Sequence, residues 1–503
     1  MIGGPERLRL PGMRSTIRRA APLALLALLA LPAAAFAQDE EPAPSLVLGN
    51  LDLTWVIVAT VLVFFMQAGF ALLEIGFSRG KNAGMGIAKI LVNFSIATLA
   101  WWAVGFAIAF GGAGTIAGDT GFLASYGNEM GGLAGDLYGE TFGGGTAAFF
   151  AFQFMFCAVS LAIVWGTTLE RMKFIAYVPF AIVFAGLIYP LIAHWGFGGG
   201  LFAEIGSGVQ DFAGSSVVHL TGATAALSAL IFLGPRKGKY GPDGKPRAIP
   251  GHNMPLFGLG VIILWLGWFG FNGGSTLGTA DGRFAEVVAV TNLGAAGGVL
   301  GALILTQLLL KTLDVGMIGN GAIAGLVAIT APSGYVEFWA APIIGLVGGF
   351  IVVGGVLMFD RLRLDDPVGA LSAHGLAGIW GTLACGLFTS ERLAETVGVG
   401  KAGLLQGGGI GQLGTQAAAV GLTFLVVFVL SSVTFLIIKA TVGLRVSDEA
   451  EDAGLDIAEH GMYGYPEQFI PAPELEGYGA APTARAPIAP SAYSSTREEV
   501  PAT

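Results

Sequence analysis

Eleven apolar runs, each near the length of a membrane-spanning helix, follow one another between residues 53 and 440. Their limits are 53–77, 86–110, 145–168, 174–195, 212–233, 255–274, 285–310, 317–332, 339–359, 367–389 and 411–440. A bilayer core about 30 Å thick takes about 20 residues of helix. Within it every backbone N–H and C=O must be paired inside the segment, so such runs fold as helices and not as loose strands. Only 12% of the residues are charged, against about 25% in a soluble domain. The chain therefore reads as an all-α polytopic membrane protein, which sets aside nucleic-acid binding and a soluble enzyme core. Glycine, at 80 of 503 residues, is about twice its usual share. The pairs Gly294-x3-Gly298, Gly321-x3-Gly325 and Gly345-x3-Gly349 predict places where helices approach closely through small residues.

The first 37 residues have the pattern of a secretory leader. Arg7, Arg9, Arg14, Arg18 and Arg19 precede a short apolar core, and Ala35-Phe36-Ala37 offers a small-x-small cleavage site. Lys and Arg then alternate in abundance from one connection to the next. Arg79 and Lys81, Arg171 and Lys173, the basic stretch 236–247, Lys311, and Arg361 and Arg363 follow the odd-numbered spans. The intervening connections carry only Arg283, Arg392 and Lys401, and the 111–144 connection is acidic. Bases mark the cytoplasmic side, so the N-terminus is expected outside and the C-terminus inside. The organisation expected is a leader (1–37), an eleven-helix domain (38–443) and a cytoplasmic tail (444–503). In that tail, 444–465 is polar and acidic, whereas 466–503 is rich in Pro, Ala and Ser and is expected to lack fixed structure.

Two spans carry a histidine at matching places. Asp211 stands eight positions ahead of His219 in the fifth span, and Asp366 stands eight ahead of His374 in the tenth. Ionisable side chains at membrane depth are costly and point to function. Five spans per half invert the second half relative to the first, and sites in such folds form where the repeats meet. The two halves share no clear identity beyond this echo. Neutral imidazole offers one donor and one acceptor, and two adjacent rings resist carrying charge together. The pair suits a small amine or a relayed proton. Asp211 and Asp366 sit where a carboxylate caps helix N–H groups.

The segments FMQAGFALLEIGFSRGKN (65–82), LERMKF (169–174), DFAGSSVVHL (211–220), LGWFGFNGGS (266–275) and the tail GLRVSDEAEDAGLDIAEHG (443–461) are similar to the ammonium transporter family. The resemblance runs from about residue 50 to 465, with its motifs in order. It implies transport of ammonium, with methylammonium left open as a further substrate, through one pore per subunit of a homotrimer in the bacterial inner membrane. It also implies a PII-type signal protein docking at the cytoplasmic face, and no cofactor.

By the same resemblance Phe156, Phe197 and Ser275 line the outer substrate site and Trp268 contacts substrate from the pore wall, with Asp211 adding negative potential. Phe156 and Phe271 form the gate, and His219 and His374 the pore relay. The sequence departs from the family in HWGFGGG, where Phe197 stands in place of the usual tryptophan. A phenyl ring has the weaker cation-binding face. The remaining histidines, His194, His252 and His460, fall at span ends or in loops. Glu74 and Lys89 lie near the inner ends of the first two spans and are expected to snorkel to the interface. Other readings are an ammonium sensor, a gas channel of the related Rh type, and a bis-histidine haem protein.

Overall fold

Ten helices among the described residues are long and apolar enough to cross a bilayer. They are α1 (Gly49–Phe77), α2 (Gly80–Phe110), α3 (Gly145–Thr167), α4 (Phe174–Glu204), α5 (Ser215–Leu233), α6 (Met254–Gly274), α7 (Arg283–Leu310), α9 (Ala340–Arg361), α10 (Leu371–Phe388) and α11 (Gly411–Thr441). Between α7 and α9 lies α8 (Val315–Thr330), apolar but only 16 residues long. The structure is a computed structural model and describes residues 44–112, 114–124, 145–279 and 281–469. The expected leader, most of the acidic 111–144 connection and residues 470–503 of the tail lie outside the described residues. From Gly49 onward the described residues belong to one compact unit.

The helices follow the apolar runs closely, because a polar or glycine-containing connection ends each run. The eighth run differs. Its helix stops at Thr330, after about 24 Å of rise, and the chain turns through Pro332–Gly334. Proline there cannot continue the hydrogen-bond ladder. The described residues form no strand, only two isolated bridges between loop residues.

The glycine pairs do meet. A Cβ on Gly298 would stand 2.7 Å from the Gly325 Cα, and one on Gly345 would stand 3.0 Å from the Gly294 Cα. α7, α8 and α9 are thus in backbone contact along their small-residue faces, where dispersion between close backbones replaces the missing hydrophobic drive.

The base-rich connections gather at one end of the bundle. Arg79 Nε donates to Glu170 (2.7 Å), Arg171 donates to the Gly234 and Asp365 carbonyls, and Arg236 makes two side-chain hydrogen bonds to Asp365, each 2.9 Å. The segment after α11 folds over this end as two short helices, Asp448–Ala453 and Leu455–His460. Asp456 accepts from the Gly84 and Met85 amides, the Leu455 amide donates to Asn82, and Lys81 donates to the Glu451 and Asp452 carbonyls. The first four residues of the part expected to lack fixed structure, Pro466–Phe469, form a helical turn.

One expectation is corrected. Glu74 and Lys89 do not snorkel: they are 1% and 0% exposed. Packing against neighbouring helices keeps both side chains from the surface. The Lys89 Nζ sits over the Tyr177 ring of α4, 4.4 Å from the centroid.

Candidate functional site

α5 and α10 begin alike. Asp211 accepts from the amides of Gly214, Ser215, Ser216 and Val217 at 2.7–3.0 Å. Asp366 accepts from those of Val368, Gly369 and Leu371 at 2.7–3.3 Å. In each case a glycine three residues after the aspartate has positive φ, +113° at Gly214 and +76° at Gly369, a conformation that costs little only without a Cβ. A π-helical turn follows on both sides, Ser215–Leu220 and Leu371–Leu376, and each holds its histidine. Such turns widen the helix and re-aim a side chain, often at functional sites. Gly378 then lets α10 lie against α5, since a Cβ there would come within 2.7 Å of the Ser215 carbonyl oxygen.

These devices bring His219 and His374 together inside the bundle. Their Nδ1 atoms are 3.2 Å apart and the rings are tilted by 21°, with centroids 5.2 Å apart. His219 is also stacked on Trp268 at 5.1 Å, and the Trp268 indole N–H is held by the Thr330 hydroxyl (2.8 Å). Both histidines are buried. A hydrogen bond between two Nδ1 atoms needs one protonated and one bare nitrogen, so the pair shares a single proton.

Above the pair, away from the tail, Phe271 lies 5.6 Å from His219 and stacks on Phe156 at 4.0 Å. Over this ring pair opens a cavity of about 200 Å³, whose lining includes Gln153, Phe156, Phe197, Asp211, Ser275 and Tyr335. Phe197 meets Phe156 edge to face, their planes at 89°. Trp268 does not line this cavity; it stands below the ring pair, beside His219. Asp211 does line it, yet four backbone amides occupy its oxygens. Burial pushes its carboxyl up to about 6 against the pull of those amides. The Ser275 hydroxyl donates to the Phe271 carbonyl at 2.8 Å and keeps its lone pairs for a ligand.

Below the pair a small cavity of about 20 Å³ is lined by His374, Phe70, Asn320 and Glu74, among others. Nothing in the sequence singles out Gln153, Tyr335 or Asn320, and Glu74 is expected there only to snorkel.

The other histidines bond locally. His194 bridges the carbonyls of Ala109 and Gly114, His252 meets the Ser78 carbonyl, and His460 meets the Met85 sulfur. The haem alternative does not fit. Two imidazoles sharing one metal hold their nitrogens about 4 Å apart, twice a metal–nitrogen bond of about 2 Å. Here His219 is packed between Trp268 and His374 at 5.1 and 5.2 Å, which leaves no space for a porphyrin.

Comparison with known proteins agrees with this architecture. The family model described as Ammonium Transporter Family matches residues 54–465. The Ammonium transporter Amt2 of Archaeoglobus fulgidus is 42% identical over 436 residues, covering 84% of this chain and 90% of its own. Among solved structures, one titled Sensor Amt Protein superposes with a TM-score of 0.74 at 35% identity, over 82% of this chain and 99% of that one. Mep2 of Candida albicans gives 0.70 at 29% identity, over 80% and 87%. The protein is a multi-pass membrane protein that belongs to the ammonium transporter family.

Proposed function

We propose that this chain carries ammonium across a bacterial inner membrane, N-terminus outside and tail inside, through a pore that splits ammonium into ammonia and a proton. The cation is held in the outer cavity by the faces of Phe156 and Phe197 and by the Ser275 hydroxyl, with the Asp211 carboxylate adding negative potential. An aromatic face contributes about 0.5–2 kcal/mol to such binding. A bare cation in the apolar interior would cost far more than losing its proton. With a pKa roughly two units above neutral, deprotonation costs about 3 kcal/mol, at 1.36 kcal/mol per unit.

Ammonia then passes the Phe156–Phe271 rings and reaches the histidines. The pair shares one proton between its Nδ1 atoms, so the two outward nitrogens Nε2 are one donor and one acceptor. A proton taken up at the bare Nε2 of one ring sends the shared proton across the 3.2 Å contact, the other ring releases its own Nε2 proton, and the two rings end with their roles exchanged. This contact, buried near the stacked rings with His374 lining the inner cavity, carries the proposal.

In this reading eleven helices cross the membrane as two inverted five-helix repeats plus a final helix. The matched aspartate, glycine and π-turn at α5 and α10 support it. Three copies form a homotrimer, and the tail, clasped against the α2 start and the 236–237 loop, is where a PII-type signal protein docks. A second reading is that the chain senses ammonium and transports little of it. The likeness to the structure titled Sensor Amt Protein favours it. Uptake of labelled methylammonium by cells lacking their own ammonium transporters separates the two. Uptake that competes with ammonium is the expected result; tight binding without uptake would establish the sensor.

A further inference from the structure

Glu74 is the ionisable side chain that the pore account leaves unused. It lies on α1, three residues before the helix ends at Phe77, and is 1% exposed. Neither carboxylate oxygen has a hydrogen-bond partner among the described residues. A buried carboxylate in that condition is costly to keep, so its retention calls for a reason.

The surroundings supply one. Glu74 and His374 line the same cavity of about 20 Å³, together with Asn320 and a wall of apolar side chains. That space admits one water molecule. The cavity exists partly because Gly166 of α3 has no side chain: a Cβ there would stand 3.4 Å from the Glu74 Oε1. The charged group acting on Glu74 is Lys89 of α2, whose Nζ also lacks a hydrogen-bond partner. From the other packed elements, Tyr177 of α4 and His374 of α10 are the titratable groups nearby.

We propose that Glu74 is the inner terminus of the proton path. Resting on the relay reading, it takes the proton that His374 delivers through one water and returns it to ammonia at the cytoplasmic mouth. The first step breaks an N–H bond of His374 and forms an O–H bond on the carboxylate. The second transfers that proton to the nitrogen lone pair, which yields ammonium and restores the carboxylate. No electrons change hands. Asn320, whose side-chain amide donates to the Val368 carbonyl at 3.0 Å, fixes the wall opposite.

The test uses the full-length protein in liposomes fused to a solid-supported membrane, with ammonium-evoked current read at several internal pH values. Glu74→Gln keeps the shape and removes the proton site, and its current is expected to fall by about a hundredfold or more, in the range of a lost acid–base group. Glu74→Asp is expected to restore most of that current with a shifted internal-pH profile. A purely structural carboxylate would leave the profile of any folded variant unchanged. If Glu74→Gln does not assemble, Glu74→Asp alone decides, and a wild-type profile in it overturns the proposal. The two readings fail differently. Wild-type protein that takes up methylammonium without ammonium-evoked proton movement would remove the relay and this inference with it. A relay that responds to histidine variants while Glu74→Gln matches wild type would overturn this inference alone.

Discussion

The rings of Phe156 and Phe271 lie face to face, centroids 4.0 Å apart and planes 19° from parallel, Phe156 lining the outer cavity and Phe271 standing between it and His219. The two are not equivalent. Phe156 touches Phe197 and the cavity, whereas Phe271 also approaches His219 at 5.6 Å and Trp268 at 5.9 Å.

Their loss should therefore differ in kind. Phe156→Ala opens the cavity lining while sparing the relay, so uptake should persist with weakened exclusion of potassium. Phe271→Ala removes a wall of the His219 site as well and should reduce uptake by about a hundredfold or more, comparable with loss of an acid–base group. Each costs about 3–5 kcal/mol of packing, so thermal midpoints in detergent must be recorded beside uptake. Equal effects of the two on transport would contradict the assignment.

Phe197 stands edge-on to Phe156 in the wall of the cavity. Phe197→Trp supplies the better cation face and should tighten ammonium binding several-fold, about 0.5–1 kcal/mol at a partly exposed site. Competition against methylammonium uptake measures it. A marked loss of affinity would place Phe197 outside the binding site.

Asp365 anchors the tail-side end of the bundle. It is buried against Arg236, with hydrogen bonds of 2.8–2.9 Å. Burial opposes its ionisation, but the bonds from Arg236 and the charges of Arg171 and Arg236 outweigh it and hold the carboxyl below its ordinary range. A depressed carboxyl contributes stability in full above its unfolded value of about 3.9. That contribution is lost as pH falls through the lower folded value. Asp365→Asn leaves two buried arginines short of charge and should cost about 3–5 kcal/mol. Thermal unfolding between pH 8 and pH 5 should show that deficit undiminished. A deficit that vanishes within this window would contradict the pairing.

The helices were legible because their ends are chemical: apolar runs stop at Arg79, Arg171, Pro235 or Lys311, and the observed limits follow. The histidine pair was legible because two costly side chains sat at the same offset from two aspartates. Glu74 and Lys89 were not, because distance from a helix end does not reveal depth: Glu74 sits against α3 at Gly166, and Lys89 under the Tyr177 ring of α4. The π-turns at Ser215–Leu220 and Leu371–Leu376 also left no clear trace in sequence, since one extra residue in a turn does not disturb an apolar run. The glycines that precede them, Gly214 and Gly369, were visible as a second echo beside the aspartates. Among 80 glycines they did not stand out.

The most direct test of the central claim is ammonium-evoked current and potassium leak in liposomes containing wild type, His219→Ala or His374→Ala. Each substitution leaves the other ring short of a partner, at about 1–3 kcal/mol, and breaks the 3.2 Å proton contact. Both variants should fold and assemble, yet lose ammonium-evoked current or gain a potassium leak. Wild-type current and wild-type selectivity in both would show that the histidines only pack α5 against α10.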